Sequence, residues 1–152
     1  MKVVKKNHID CILFSYKAEY YLLPTVAFAE LANMGEFHLI AQGPLLGVID
    51  WRHLTLPLVA PDLSEEVNEK KRLKFAVLHS LCSNKTNIPY FSILMENHPG
   101  RIKIKPQDLT WIDEVKSKAL LAKEGTLPKE VTLVDLQKLS LIVEEATSHK
   151  SP

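Results

Sequence analysis

Short apolar segments recur along this chain, the nearest of them about 8–12 residues apart from start to start, each closed by a proline, a glycine or a polar break. That rhythm constrains the fold more than any other feature. Residues 10–16 (DCILFSY), 20–23 (YYLL), 45–50 (LLGVID), 54–59 (LTLPLV), 73–81 (LKFAVLHSL), 90–95 (YFSILM) and 131–134 (VTLV) are all of this kind. They favour β-branched and aromatic side chains and are too short for ordinary helices. Many short strands in one chain must close on themselves or stack in order to bury their apolar faces. A small β-barrel or sandwich follows. The 152 residues accommodate two barrels of about 60–70 residues each. A chain this long buries roughly 68–70% of its unfolded surface, so it needs no disulfide or metal to hold a core.

The joints between segments add detail. Lys17, Ala18 and Glu19 form a polar break that suits a hairpin, although no Asn-Gly or Asp-Gly pair marks the turn. Residues 25–31 (TVAFAEL) read as a strand, with Val26, Phe28 and Glu30 alternating against alanine, or as a helical turn. Gln42-Gly43-Pro44 is a turn signal. Pro57 has no N–H for a ladder, which predicts an edge strand or a bulge at 54–59. Residues 64–74 (SEEVNEKKRLK) read as a solvated linker or one short helix between halves, and residues 83–87 as a polar turn. In residues 101–105 (RIKIK), Ile102 and Ile104 turn inward while Arg101, Lys103 and Lys105 form a solvated stripe. Residues 112–124 carry good helix formers, with Asp113 as a cap. Asp135 caps a terminal helix with Leu136, Leu139, Ile142 or Val143, and Ala146 on one face.

Charge and composition narrow the function classes. Nineteen basic against eighteen acidic residues leave a formal net charge of +1. A broad nucleic-acid-binding face brings a basic excess, and the 101–105 stripe has no interleaved aromatic platform, so no nucleic-acid partner is expected. No stretch approaches the ~18 apolar residues of a membrane span, and the basic start lacks the apolar run of a signal peptide. A cytoplasmic protein without membrane insertion is expected. Cys11 and Cys82 are too few for a secreted disulfide framework and read as reduced. His8-x-x-Cys11 and His79-x-x-Cys82 repeat a spacing compatible with four zinc ligands. Residues i and i+3 of an extended strand point to opposite faces, however, and no metal is expected. No Gly-x-Ser-x-Gly elbow and no glycine-rich phosphate loop occur. No catalytic residue, no cofactor and no enzymatic activity are expected; a small enzyme using Cys82 or His79 is an alternative.

The run 47–58 (GVIDWRHLTLPL) sets two apolar β-type segments around a charged tip, with Arg52 near the apex. No serine or cysteine nucleophile lies in this run. Arg52 reads as a partner contact, or as a surface arginine paired with Asp50 or Asp62. Trp51 reads as a packing residue or as a binding anchor. With residues 12–14, Tyr20-Tyr21-Leu22-Leu23-Pro24 and residues 26–31 before it, this run resembles the CheW-like family of chemotaxis coupling proteins. Members typically read Gly-Val-Ile-Asn-Leu-Arg-Gly and then a Val-Pro-Val-type strand. Here the matching residues are Gly47-Val48-Ile49-Asp50-Trp51-Arg52-His53 and Leu56-Pro57-Leu58. Weaker similarity follows at 91–96, 105–109 and 131–136. Asp50 and His53 depart from the pattern, as does Asn97-His98-Pro99-Gly100. Glycine enters a left-handed backbone at no steric cost and histidine does not, so His53 predicts a different turn at the tip.

The resemblance implies an all-β fold of two small five-stranded SH3-like barrels with a short C-terminal helix. The implied layout is one CheW-like domain over residues 8–147. It has a first subdomain at 10–62, a charged connection at 63–72, a second subdomain at 73–135 and a helix at 136–146. A strand at 119–124 then pairs with 130–135 in place of the helix that propensity favours, with Gly125-Thr126-Leu127-Pro128 as the turn. The implied function is a non-catalytic adaptor between a chemoreceptor's cytoplasmic helical hairpin and a CheA-type histidine kinase, whose regulatory domain shares the fold. It would serve chemotaxis or pilus-linked twitching motility, as a monomer in isolation that is recruited to membrane receptor arrays. The implied partner-binding residues are Arg52, Trp51 and Asp50 at the tip, Gly47, Val48 and Ile49 on the strand before it, and Val26 and Phe28 near a groove between the barrels. The alternative is a stand-alone or degenerate barrel module that binds proteins outside kinase coupling.

Overall fold

The structure, a computed structural model, describes residues 8–32, 37–42, 45–63, 74–80, 89–96, 99–123, 125 and 127–148. Within these residues the chain forms β1 (Ile9–Tyr16), β2 (Glu19–Pro24), β3 (Phe28–Ala32), β4 (Phe37–Gln42), β5 (Leu45–Trp51) and β6 (Leu54–Val59). It continues as β7 (Lys74–His79), β8 (Tyr90–Met95), β9 (Gly100–Ile104), β10 (Leu109–Asp113), β11 (Lys118–Leu121) and β12 (Lys129–Leu133), then helix α1 (Leu136–Ser148). Two sheets result. The first has the order β10-β11-β12-β2-β1-β9 and the second β3-β7-β8-β6-β5-β4. The mainly-β class, the two sheet-built halves and the terminal helix agree with expectation. Each sheet pairs six strands where five were expected.

The chain is shared between the sheets differently from the sequential plan of 10–62 and 73–135. β1 and β2 start the first sheet, β3 to β8 build the second, and β9 to β12 return to the first. There β9 runs antiparallel to β1 and β12 parallel to β2. Burial explains the return. Ile12, Phe14, Tyr16, Tyr21 and Leu23 belong to a large core that includes the second sheet. Cys11, Leu13 and Leu22, from the same two strands, belong to a smaller core with Ile104, Ala119, Leu121 and Val131. A hairpin that is apolar on both faces needs cover on both sides. The second sheet covers one face and the last four strands cover the other.

Local chemistry settles the joints. Lys17 and Ala18 are both left-handed, with φ of 49° and 63°, and close the β1–β2 hairpin with the twist that a two-residue turn requires. Residues 25–31 satisfy both of their readings in succession, because Thr25–Ala27 is one 3-10 turn and β3 follows it. At 109–121 helix propensity loses. Asp113 accepts the backbone N–H groups of Val115 and Lys116 at 3.0 and 3.2 Å in a turn, not at a helix start. The β11–β12 pairing then sets Ala119 opposite Val131, both buried. The expected strand at 119–124 is Lys118–Leu121; Glu124 lies outside the described residues, as do residues 64–73, 81–88 and 97–98. β4 and β10 are strands that the sequence-based expectation lacked. Asp135 does cap α1, accepting the N–H of Lys138 at 3.0 Å, and Leu139 and Val143 enter the large core.

Pro57 corrects one expectation. Its strand β6 is interior, between β5 and β8, not at an edge. The N and C=O of a strand residue point to the same side. The Ser92 hydroxyl donates to the Pro57 carbonyl at 2.8 Å, so the missing N–H also faces β8, where ladder pairing covers Leu58 and Val59. A register shift is nevertheless present beside it, on β5 between Leu45 and Gly47. No helix among the described residues is long and apolar enough to cross a membrane.

Candidate functional site

β5 and β6 pair as far as Trp51 opposite Leu54, which leaves Arg52 and His53 as a two-residue loop. Both are left-handed, with φ of 47° and 66°. Such a turn matches the twist of a hairpin and favours Asn-Gly. The different turn expected from His53 does not occur, because the histidine adopts the conformation a glycine would supply. Side chains stay in that region where their surroundings hold them.

For Arg52, contacts with Glu30 and the Trp51 ring, itself packed on Tyr90, do the holding. The Trp51 Nε1–H donates to Glu30 Oε2, and Arg52 Nη2 donates to Glu30 Oε1 at 3.3 Å. The Arg52 guanidinium lies 5.1 Å from the centre of the Trp51 ring. Trp51 meets Tyr90 of β8 edge-on, with centroids 5.0 Å apart, and Tyr90 lies 5.2 Å from the His79 ring of β7. Glu30 comes from β3, at the sheet edge remote from β5 in strand order, so the second sheet curls until that edge meets the hairpin tip. Two donors on one carboxylate, the Trp51 indole foremost and then Arg52, hold the Glu30 carboxyl below the usual range.

The partner of Arg52 is therefore Glu30, not Asp50 or Asp62. Asp50 instead accepts the Thr55 hydroxyl across the hairpin at 3.3 Å. The Arg52 side chain is 69% exposed and that of Glu30 41%. A pair so exposed contributes little stability. Its effect is positional. One guanidinium nitrogen is tied to Glu30 and the plane is steadied by Trp51, while most of the fork faces solvent in a set orientation.

The other expected residues lie at different depths. Gly47 and Ile49 are buried and Val48 is half-buried, so they support the hairpin from beneath more than they offer surface. Val26 is 89% exposed on the turn that carries the chain from the first sheet to the second. Phe28 packs partly against the large core. The structure thus gathers Trp51 and Arg52 with Glu30 and Tyr90, and leaves Val26 apart at the crossing. Tyr90 carried no functional signal in the sequence. Glu30 showed only its place in the 26–30 alternation.

Cys11 is buried on β1, where burial first and then the nearby Asp10 charge push its thiol pKa up. His79 belongs to the other sheet, and Cys82 lies outside the described residues. Among the described residues no three His, Cys, Asp or Glu side chains converge as a metal site.

No protein-family model and no curated protein matches this sequence. Among solved structures, the chain is similar to the scaffolding protein TtCheW from Thermoanaerobacter tengcongensis. The TM-score is 0.65, with 16% identity over 91% of this chain and 92% of that one. The likeness is one of fold, and it extends over nearly the whole of both chains.

Proposed function

We propose that this chain is a non-catalytic chemosensory adaptor of the CheW-like kind, coupling a chemoreceptor's cytoplasmic helical hairpin to the regulatory domain of a CheA-type histidine kinase. The observation that carries the reading is Arg52, exposed at a hairpin apex yet tethered by Glu30 and Trp51, on a chain with the fold of a scaffolding protein. An adaptor acts by presenting contacts in a constant geometry. A guanidinium already held in place pairs with a partner's carboxylate or helix-terminal carbonyls and loses less side-chain freedom on binding. The receptor hairpin lies along the seam between the sheets, with Val26 as an apolar anchor. The kinase domain meets a barrel edge through an apolar patch with a polar rim. The adaptor is cytoplasmic, monomeric alone, and recruited to receptor arrays by its partners. The departures at Asp50 and His53 favour an accessory, pilus-linked member acting in twitching motility.

Co-precipitation with a purified kinase regulatory domain and a receptor hairpin fragment tests the reading. The wild-type chain should bind at concentrations on the order of tens of micromolar, and Arg52→Ala should weaken binding about tenfold with an unchanged circular-dichroism spectrum. Absence of wild-type binding to both partners rules out the coupling role. Unchanged binding by the variant removes Arg52 from the interface.

A further inference from the structure

The basic stripe of β9 takes no part in the hairpin tip. Ile102 and Ile104 turn toward the smaller core, so Arg101 and Lys103 project from the other face of the strand. Their cross-strand neighbours on β1 are Ile12 and Asp10. Nearby, the chain leaves the first sheet at Pro24 and crosses through the 3-10 turn Thr25–Ala27. Asp10, Thr25, Arg101, Ile102 and Lys103 line a pocket of ≈ 230 Å³ at this crossing.

Three observations give the pocket a chemistry. Thr25 Oγ1 is buried and has no hydrogen-bond partner among the described residues, whereas buried hydroxyls nearly always have one. Neither the Arg101 nor the Lys103 side chain enters an ion pair among the described residues. Arg101 and Lys103 against Asp10 give the wall a net charge of 2 − 1 = +1. That balance suits a monoanion better than a phosphate dianion. The volume lies below the roughly 300–1,000 Å³ of pockets that enclose whole small molecules, and fits one side-chain-sized group. Val26, next in sequence to Thr25 on the same turn, is 89% exposed and offers an apolar side chain to a partner.

We infer that this pocket binds a carboxylate. Arg101 and Lys103 pair with the charge, the Arg101 fork giving directional hydrogen bonds. The Thr25 hydroxyl turns toward the ligand and gains the acceptor it lacks. With the exposed apolar Val26 next to Thr25 in the turn, the source is an acidic side chain on an amphipathic helix, and a free small carboxylic acid has the same chemistry. The inference goes beyond the adaptor reading, with which it shares only Val26, and it is tested without kinase or receptor.

The test is an amide-shift titration of the ¹⁵N-labelled full chain with acetate, with inorganic phosphate, and with two synthetic amphipathic helical peptides differing only in one central Glu or Gln. Acetate should give saturable shifts at the Thr25, Val26, Ile102 and Lys103 amides. The Glu peptide should bind about tenfold tighter than the Gln peptide. Both effects should vanish in Arg101→Gln/Lys103→Gln, and Thr25→Val should weaken them a few-fold. Acetate binding with equal peptide affinities assigns the pocket to free carboxylates. Phosphate acting as well as acetate, shifts scattered over the surface, or a Glu preference that survives the double substitution overturns the inference. The wild-type Glu/Gln comparison decides the matter even if the double variant does not fold. Kinase and receptor are absent from the assay, so its failure leaves the adaptor reading intact, and the reverse holds too.

Discussion

Arg52 and His53 share one backbone problem and meet it unequally. Both are left-handed, and each pays a steric cost that glycine avoids. Arg52 is held there by Glu30 and by the Trp51 ring, which keep its guanidinium in place. Among the described residues no hydrogen bond or ion pair of the His53 side chain offsets the same cost. His53→Gly should therefore raise the free energy of unfolding by about 0.5–1 kcal/mol, the steric relief being reduced by the extra entropy of an unfolded glycine. Urea unfolding measures the change, and a loss of stability would show that the imidazole makes a contact that matters. The motif match brought out Arg52 and flagged His53. It did not bring out Glu30, which lies 22 residues from Arg52 in sequence and meets it only when the second sheet curls.

At the scale of elements, β6 and β11 show how neighbours override a strand's own composition. Pro57 should mark an edge or a bulge; a register shift lies nearby on β5, yet β6 is interior because the proline's donor-less side faces β8 where the buried Ser92 hydroxyl reaches its carbonyl. Ser92→Ala removes that donor and leaves a buried carbonyl without its partner. A loss of about 1–2 kcal/mol is expected, read as a lower urea midpoint at unchanged m-value. A change below a few tenths of a kcal/mol would mean that water or a shifted ladder replaces the hydroxyl. β11 has the residues of a helix, but Ala119 and Leu121 are buried against Val131 and its neighbours. Burial of such side chains outweighs propensities of a few tenths of a kcal/mol per residue.

At the scale of the whole molecule, the β1–β2 hairpin belongs to two cores at once. Loss of either core would expose one apolar face of that hairpin to water. The two halves should therefore unfold together as one cooperative unit. The chain's two tryptophans report on this separately, since Trp111 lies on β10 of the first sheet and Trp51 on β5 of the second. Trp51→Phe and Trp111→Phe variants, each keeping one indole, should each give a fluorescence transition coincident with their own far-ultraviolet circular dichroism. Separated transitions within one variant would show halves that melt independently. The strand-rich class, the hairpin around Arg52 and the Asp135-capped terminal helix were determined by the sequence alone, because alternation, turn residues and caps act over a few neighbouring residues. The return of β9 to β12 to the first sheet, the interior place of β6 and the tether of Arg52 to Glu30 were decided only by tertiary structure. Each depends on which distant strands meet to cover an apolar face, and no local spacing encodes that meeting.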